Sequence, residues 1–275
     1  MYNQINIQLK QNPVPYKIEK KIRQYVYNSR NFGEPNDKNL EKFATKYNIS
    51  ISIQVLRSMV SSYTKNKIIE NYVPLLNQKK KLYKKYKKGK SIMDLSKIYN
   101  NSPMTIFRIL LRSKGLSKKE VNKVLKKQDK YLGDIDKEQL KIALENDWYA
   151  STDQDAQLKK SLEYEEKVKA LLDENNVKYQ TQEDLQKLDE DNIITSKAGN
   201  PLTPDFLIKS DLFINSEKVN WIDAKNFYGA YTRLNKYKFK KQANKYNRAF
   251  GKGALVFSLG FSERLCIENT LLISY

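Results

Sequence analysis

Apolar residues recur at helical spacing in the first part of the chain. Ile18, Ile22 and Val26 follow one another at intervals of four, which is the period of one face of an α-helix. The same spacing predicts a second helix that ends near Tyr47 and, after a short polar break, a third helix. These two helices could form a helix-turn-helix or equally belong to any small bundle. We therefore predict a helical region over residues 1–76.

Three short helices with clear start and stop signals are predicted over residues 79–115. A lysine-rich helix ends at Gly89, and Ser91 then serves as the N-cap of a second helix. Ser102 and Pro103 open the third helix, because proline fits the first helical turn. The arrangement resembles a resolvase-type helix-turn-helix, whose third helix lies in the major groove of DNA.

Side chains on the first and third of these helices are candidates for contacts with nucleic acid. The candidates are Lys84, Lys85, Lys87, Lys88, Met104, Thr105, Arg108 and Arg112. A structural three-helix bundle would show the same pattern, and residues 79–90 could also act as a nuclear localisation signal. We assign residues 77–130 to a nucleic-acid-binding domain and residues 131–154 to a helical connector.

From residue 155 onward, short apolar runs of strand length appear between two longer helical patterns. The predicted elements are a helix from Leu158 to Asn175, strands at 177–180, 206–208, 212–214, 219–224, 254–259 and 270–274, and a basic helix from Arg233 to Phe250. This order predicts a sheet with helices packed on it. The fold class is α+β, with a helical N-terminal region and a C-terminal αβββαβ core over residues 155–275.

Charge divides the chain near residue 130. Residues 1–130 contain 30 Lys and Arg against 8 Asp and Glu, whereas residues 131–275 contain 21 against 23. The first part therefore carries a formal charge of +22 and the second −2. Nucleic acid is the expected partner of the basic part, since Lys and Arg contacts to phosphates supply most non-specific affinity. Lysines that only promote solubility are the alternative. We expect removal of residues 1–130 to weaken DNA binding more than it harms the fold of the remainder.

The composition excludes several kinds of site. The chain has no histidine, so a Ser-His-Asp triad or a histidine-ligated metal nuclease cannot be built. Cys266 is the only cysteine, which excludes disulfides within the chain and cysteine zinc sites. No apolar run approaches the ~18 residues of a membrane span, and the first residues lack the pattern of a secretory signal. We expect an intracellular protein of the nucleus, the cytoplasm or both, whose catalysis would use carboxylates, lysine, hydroxyls or a metal.

Two short strands carry the candidate chemistry. Asp205 begins one strand, and Asp223 and Lys225 lie near the end of another. Residues two apart in a strand point to the same face, so Asp223 and Lys225 share one side of the sheet. Asp205 can meet them if the strands are neighbours across a hairpin. Clustered carboxylates bind Mg²⁺ or Mn²⁺, and the cation acidifies water for phosphodiester cleavage.

Each of these residues also has an ordinary structural explanation. Asp205 could be a turn residue, and Asp223 with Lys225 could be a surface ion pair. Glu165, on the helix that precedes both strands, could be a solvated helix carboxylate, and Gln242 could be structural.

The strand residues have the pattern of the PD-(D/E)XK nuclease superfamily. The run from Leu202 to Leu207 further resembles the TPD signature of the codanin-interacting nuclease family and its archaeal relatives, and Trp221 to Lys225 resembles that family's Trp-Ile-(Asp/Glu)-x-Lys strand. A Gln, a Tyr and a Phe-Gly-x-Gly turn follow in the expected order. The resemblance covers roughly residues 155–275. Ser161 and Lys252 replace a glycine and a proline that the family often has.

The resemblance implies a divalent-metal nuclease with a restriction-endonuclease-like core. Asp205 and Asp223 would then be metal ligands with help from Glu165, Lys225 would be the catalytic lysine, and Gln242 would position phosphate or water. It also implies a codanin-like protein as a partner where the source organism has one. A DNA-binding or adaptor protein of the same fold, without activity, is the second hypothesis.

Overall fold

The computed structural model describes residues 4–150, 154–187, 194–195, 199 and 201–275. These residues form two compact units. The sheet unit takes in residues 1–21, 49–59 and 154–275, and the helical unit takes in residues 22–48 and 60–153. Two boundaries fall inside helices, namely α1 (Tyr16–Asn28) and α3 (Ile53–Glu70). The region that the sequence assigns to one helical segment, residues 1–76, is therefore divided between the two units.

The sheet unit contains short strands and three helices of its own. The strands are β1 (Ile5–Ile7), β2 (Tyr179–Thr181), β3 (Phe206–Ile208), β4 (Leu212–Ile214), β5 (Glu217–Lys218), β6 (Trp221–Lys225), β7 (Gly253–Phe257) and β8 (Thr270–Ser274). The helices are α11 (Gln154–Glu174), α12 (Gln182–Gln186) and α13 (Arg233–Phe250). The predicted basic helix and its end before Gly251 are confirmed by α13.

The strands form two sheets. The main sheet has five strands in the order β2-β3-β6-β7-β8, and the smaller sheet has the order β1-β4-β5. Strands β2, β3 and β6 run antiparallel, whereas β6, β7 and β8 run parallel. Because β4 and β5 leave for the smaller sheet, β3 and β6 become direct neighbours. The main sheet thus follows the order α11, β2, β3, β6, α13, β7, β8, in a mixed α+β fold.

Alternate residues of β6 reach two different cores. Ile222 and Ala224 belong to the core on one face of the main sheet, which also contains Val168 of α11. Trp221 belongs to the core on the other face, together with Phe239 of α13. Each face is therefore covered by a helix, and the period of two along β6 determines which side chains face α13.

Trp221 fixes the packing of β6 against β7. Its ring is fully buried, and its Nε1 donates a hydrogen bond to the Gly251 carbonyl oxygen at 2.9 Å. A Cβ added at Gly253 would lie 2.1 Å from the Trp221 ring, so only glycine permits this approach. The indole thereby anchors the strand that carries Asp223 and Lys225.

The N-terminal segment is part of the sheet unit, and the prediction of a purely helical start is wrong here. Strand β1 runs parallel to β4, with Ile5 opposite Leu212. Further along, the fully buried Glu19 accepts hydrogen bonds from the Tyr231 backbone N–H at 2.8 Å and from the Ser262 hydroxyl. A strand of three residues offers too little alternation to recognise in a sequence, and its partner lies about 200 residues away in the chain.

The helical unit is built from short helices, and some of them have side-chain N-caps. Besides parts of α1 and α3 it contains α2 (Asp37–Tyr47), α4 (Tyr72–Asn77), α5 (Lys79–Lys87), α6 (Ile92–Tyr99), α7 (Pro103–Ser113), α8 (Lys118–Lys126), α9 (Gln128–Tyr131) and α10 (Asp134–Glu145). The predicted N-caps are confirmed: Ser91 forms a capping box with Asp94, and Ser102 accepts a hydrogen bond from the Thr105 backbone N–H. No helix among the described residues is long and apolar enough to cross a membrane.

Lys67 of α3 is buried at the C-terminal end of α1 within the helical unit. It is 2 % exposed, and its ammonium group donates to the carbonyl oxygens of Val26 at 3.2 Å and Ser29 at 2.5 Å. The last turn of α1 has no basic residue of its own, so Lys67 supplies the positive charge that a helix C-terminus favours. Burial lowers the pKa of Lys67 to about 8.

Lys67→Met is expected to destabilise the helical unit by about 1–3 kcal/mol at neutral pH, because two carbonyl groups, those of Val26 and Ser29, lose their donor in a buried or part-buried position. The difference from the parent should widen between pH 8 and 10.5. In that window the folded lysine has lost its proton while the unfolded one, with the ordinary pKa of 10.5, retains it, so stability of the parent rises with pH. Urea unfolding at several pH values measures both effects, with the exposed Lys42→Met as control. Equal midpoints for Lys67→Met and the parent would contradict this role.

Candidate active site

Strands β3 and β6 bring the two candidate aspartates together. Phe206 lies opposite Ile222 and Leu207 opposite Trp221 in the antiparallel pair. The same register, continued by one residue, places Asp205 opposite Asp223. Residues directly opposite in such a pair have Cβ atoms about 4.5–5.5 Å apart. The two strands are therefore neighbours as predicted, although the chain between them forms the β4–β5 hairpin of the other sheet.

Asp205 is held by the backbone of β6. Its Oδ2 accepts a hydrogen bond from the Ala224 backbone N–H at 2.7 Å. Burial, and next the neighbouring Asp223 carboxylate, raise the pKa of Asp205 to about 8, while Lys225 acts in the opposite direction. Two carboxylates this close in a desolvated site resist carrying two negative charges unless a cation lies between or beside them.

Asp223 is more deeply buried, with only 3 % of its surface exposed. Its Oδ2 forms an ion pair with the Lys225 ammonium group. The same oxygen has no hydrogen-bond partner of regular geometry, although it is shielded from solvent. A carboxylate has about four acceptor sites, so Asp223 can bind a cation in addition to its ion pair with Lys225.

Glu165 approaches the pair from helix α11. It is half-buried, whereas Glu163, two residues earlier, is exposed. Burial, and next the charge of Asp223, raise the pKa of Glu165, and Lys225 lowers it. The helix carboxylate therefore faces the same charges as the two strand residues, and is not simply solvated.

Gln242 reaches the site from helix α13. Its side chain hydrogen-bonds the Tyr246 hydroxyl, which donates to the Thr203 carbonyl oxygen at 3.1 Å. Burial raises the pKa of Tyr246 to about 12, so this phenol stays protonated. Gln242 is thus positioned by a tyrosine one helical turn further along α13.

All five predicted residues line one cleft of about 380 Å³. The walls also include side chains that the sequence pattern does not assign to the site: Ser161, Gln182, Thr203, Asn226, Phe227 and Tyr246. Two sequence signals could have found some of them. Asn226 directly follows the candidate lysine, and Tyr246 lies four residues after Gln242 on the same helix face.

The donor set fits a hard divalent cation. The available ligands are carboxylate oxygens, which Mg²⁺ and Mn²⁺ prefer, and Asp223 contributes a buried oxygen without a hydrogen bond. Within the part of the chain that the structure describes, no three acidic, histidine or cysteine residues are grouped closely enough to form a complete metal cage. Asp205 and Asp223 are therefore the core of the candidate site, and Glu165 lines the same cleft.

The predicted nucleic-acid contacts on α5 are accessible. All four lysines of this set are exposed: Lys84, Lys85, Lys87 and Lys88. The ammonium group of Lys85 lies 5.5 Å from the centre of the Tyr99 ring. One face of α5 packs into the helical core through Leu82, and the lysines occupy the opposite, solvent-facing side.

The candidate contacts on α7 need one correction. Met104 is only 4 % exposed, and its backbone N–H donates to Asp147 at 3.0 Å, so its side chain cannot reach a DNA base. Helix α7 is the centre of the helical unit, and seven of its eleven residues are buried. Thr105 is half-buried and its hydroxyl accepts from Ser102, Arg108 is exposed but donates to Asn122, and Arg112 is half-buried. Because α7 is packed on most sides, little of its surface is free to enter the major groove of DNA.

A mixed α+β protein with a carboxylate- and lysine-lined cleft is the class that the fold and the site define. Residues 133–274 match the TPD family, described as proteins of unknown function with a TPD sequence motif. This match takes in more than half of the chain, and the chain belongs to that family. It includes Thr203-Pro204-Asp205, which leads into β3.

A similar curated protein is the uncharacterized protein L539 of Acanthamoeba polyphaga mimivirus. It is 39 % identical over 88 residues, which represent 30 % of this chain and 32 % of the viral protein. The chain thus aligns with about a third of the length of that relative. No solved structure matches the chain significantly.

Proposed function

We propose that this protein is a divalent-metal-dependent nuclease, with the cleft of the sheet unit as its active site. The observation that carries the proposal is the meeting of Asp205, Asp223 and Lys225 on neighbouring strands, where they line one cleft and where the buried Asp223 carboxylate is paired with the lysine. The element order of the main sheet supports a restriction-endonuclease-like core. The proposal thereby extends the resemblance of these residues to the PD-(D/E)XK superfamily.

Asp205 and Asp223 would hold Mg²⁺ or Mn²⁺, with help from Glu165, which lines the same cleft. When bound, the cation would make a water molecule more acidic and would neutralise negative charge on the phosphoryl oxygens. The cation would also offset the burial and the charge of Asp223, which together raise the pKa of Asp205. The Ala224 N–H keeps Asp205 oriented, so the carboxylates are arranged before the substrate arrives.

Lys225 acts on the reacting phosphate. Its side chain is 15 % exposed, and Asp223 holds its ammonium group at the cleft. From there it orients the attacking water or stabilises the negative charge that develops on the phosphoryl group. Gln242, fixed by Tyr246, positions a phosphate oxygen or the water.

The helical unit binds nucleic acid, and DNA is the expected form. The support is the charge of residues 22–48 and 60–153, where 27 Lys and Arg stand against 13 Asp and Glu for a formal charge of +14, together with the exposed lysines of α5. Phosphate contacts by lysine give affinity without sequence preference and a steep dependence on salt. A codanin-like partner stays a prediction from the family resemblance.

Cleavage of a panel of DNA and RNA substrates with and without Mg²⁺ or Mn²⁺ tests the proposal. The panel should include single strands, duplexes and branched forms. The parent is expected to cleave at least one of them, and to stop when a chelator is added. Asp223→Ala should be inactive, while Glu163→Ala, which changes an exposed carboxylate on α11, should be unaffected.

An adaptor or DNA-binding protein without activity is the second hypothesis. It would bind the panel with the same salt dependence and cleave none of it. Activity that survives in Asp223→Ala would also reject the proposed site, since a contaminating nuclease would then be responsible.

A further inference from the structure

Helix α13 concentrates positive charge beside the cleft. Its eighteen residues include seven Lys and Arg and no Asp or Glu. Residues 131–275 as a whole carry a formal charge of −2, so this helix stands out from the rest of that part of the chain. Without acidic side chains between them, the positive charges of this helix repel one another. A bound polyanion would reduce that repulsion.

Four of these cations share one exposed face of α13. Lys238, Lys241, Lys245 and Arg248 follow at intervals of three and four residues, which places them in one stripe of the helix. The stripe spans roughly 15 Å and lies next to Gln242, which lines the cleft. All four are exposed, and no ion pair joins any of them to another described residue.

An aromatic ring in the cleft packs against the same helix. Phe227 lines the cleft two residues after Lys225 and is 36 % exposed. Its ring is stacked on Phe239 of α13, with centroids 6.1 Å apart, and meets Phe257 edge-on at 6.3 Å. The ring is therefore supported by the core on one side and remains partly open to the cleft.

The loop that carries Phe227 is fixed on several sides. The Phe227 N–H donates to the Lys225 carbonyl oxygen at 2.8 Å. Asn226 donates to the Lys160 carbonyl oxygen of α11 at 2.5 Å and accepts from the Ser258 hydroxyl at 2.8 Å. The Gly229 N–H donates to Gly260 at 2.9 Å. Phe227 thus has a settled position beside the candidate catalytic residues, which a stacking platform requires.

We propose that α13 and Phe227 form a track for an unpaired polynucleotide strand that leads into the cleft. Lys238, Lys241, Lys245 and Arg248 hold its phosphates, and Phe227 stacks on the base next to the reacting phosphate. A base can offer its face to a side chain only when it has left a duplex stack, so the aromatic ring selects single-stranded or locally unpaired substrates. The role of the track in cleavage rests on the proposed nuclease function, whereas strand binding by the track does not.

The salt dependence of binding tests the cationic stripe in the full chain. Lys238→Gln, Lys241→Gln and Lys245→Gln are combined in one variant. Each lost phosphate contact should make the slope of log affinity against log salt shallower by about 0.7 for a single strand, so the triple variant should lose about 2. The matched control combines Lys10→Gln, Lys167→Gln and Lys209→Gln, three exposed lysines of the same unit outside the cleft lining. The control should keep the parent's slope. Equal slopes for the two triple variants would show that the stripe does not bind the phosphates.

Photocrosslinking tests the stacking position. Oligonucleotides with 5-iodouracil at successive positions are irradiated with the parent in chelator, and the attached residue is mapped by mass spectrometry. Phe227 is expected to be the attached residue for single strands, with little product from a blunt duplex. In the cleavage assay, Phe227→Leu should raise KM for unpaired substrates about 5- to 150-fold, the range for one base–aromatic stack, and leave kcat and the melting temperature near the parent's.

The two assays separate the track from the nuclease function. Attachment at Phe227 without cleavage of any substrate would refute the nuclease and keep the track. Cleavage with attachment elsewhere, and with Phe227→Leu acting like the parent on every substrate, would refute the track and keep the nuclease. A crosslink to Phe227 that is equally strong with blunt duplex would overturn the preference for unpaired strands.

Discussion

Replacing Lys225 by methionine is expected to slow cleavage by about 10²–10³-fold and to leave binding of Mg²⁺ or Mn²⁺ largely intact. The magnitude is that of removing one group that stabilises charge in the transition state. The ammonium group lies against Asp223 at the cleft but is not itself a metal ligand. Methionine retains much of the length and the apolar stem of lysine while it removes the charge.

Asp223→Asn should instead lose both cleavage and metal binding, because the change removes a negatively charged ligand from a buried position. Calorimetric titration of metal into each variant, set beside its cleavage rate, separates the two effects. Lys252→Met is a suitable control, since Lys252 forms an ordinary surface ion pair with Glu217 at 2.5 Å. If Lys225→Met cleaves as fast as the parent, the ion pair between Lys225 and Asp223 is only structural, like that between Lys252 and Glu217. The catalytic role assigned to Lys225 would then be wrong.

A chain that lacks residues 1–21 is expected to lose the native fold of the sheet unit. The deletion removes β1 from the smaller sheet and the buried side chains of Ile7 and Val14. It also removes Glu19, which leaves the Tyr231 N–H and the Ser262 hydroxyl without their acceptor. Each buried apolar side chain contributes about 1.5–3 kcal/mol to stability, and each buried polar group left without a hydrogen-bond partner costs about 1–3 kcal/mol. Together these losses approach the whole stability of an ordinary domain, which is about 5–15 kcal/mol.

Near-ultraviolet circular dichroism of the truncated chain measures this loss. Limited proteolysis, with the cleavage sites mapped within residues 154–275, measures it independently. Glu19→Ala in the full chain tests the buried carboxylate alone and should lower the melting temperature clearly. Glu174→Ala, an exposed acid of the same unit, should not. A truncated chain with the parent's spectrum and protease resistance would contradict the account. Removal of residues 1–130, which the charge pattern predicts to weaken DNA binding far more than it harms the remainder, would take β1 and Glu19 away as well, so we expect that deletion to disrupt the sheet unit too.

The sequence by itself determined the local elements and the types of residue in the site. Ser91, Ser102 and Ser117 cap the helices that follow them, since a capping side chain bonds to a backbone N–H only two or three residues away. Helix α13 begins and ends where the pattern predicts because Thr232 and Gly251 act at its two ends. Strand parity alone placed Asp223 and Lys225 on one face, and the lack of histidine limited the chemistry to carboxylates and lysine.

Only the tertiary structure decided which distant residues meet. The hairpin of β4 and β5 pairs with β1 and leaves the main sheet, so that β3 and β6 become neighbours and Asp205 lies opposite Asp223. Likewise α7 has the capping signals of a recognition helix, yet helices on several sides bury Met104. The physical reason is one of range. Caps, turns and side-chain periodicity depend on contacts between residues that are close in the sequence. Strand pairing and burial depend instead on which apolar faces of distant segments pack together in the folded chain.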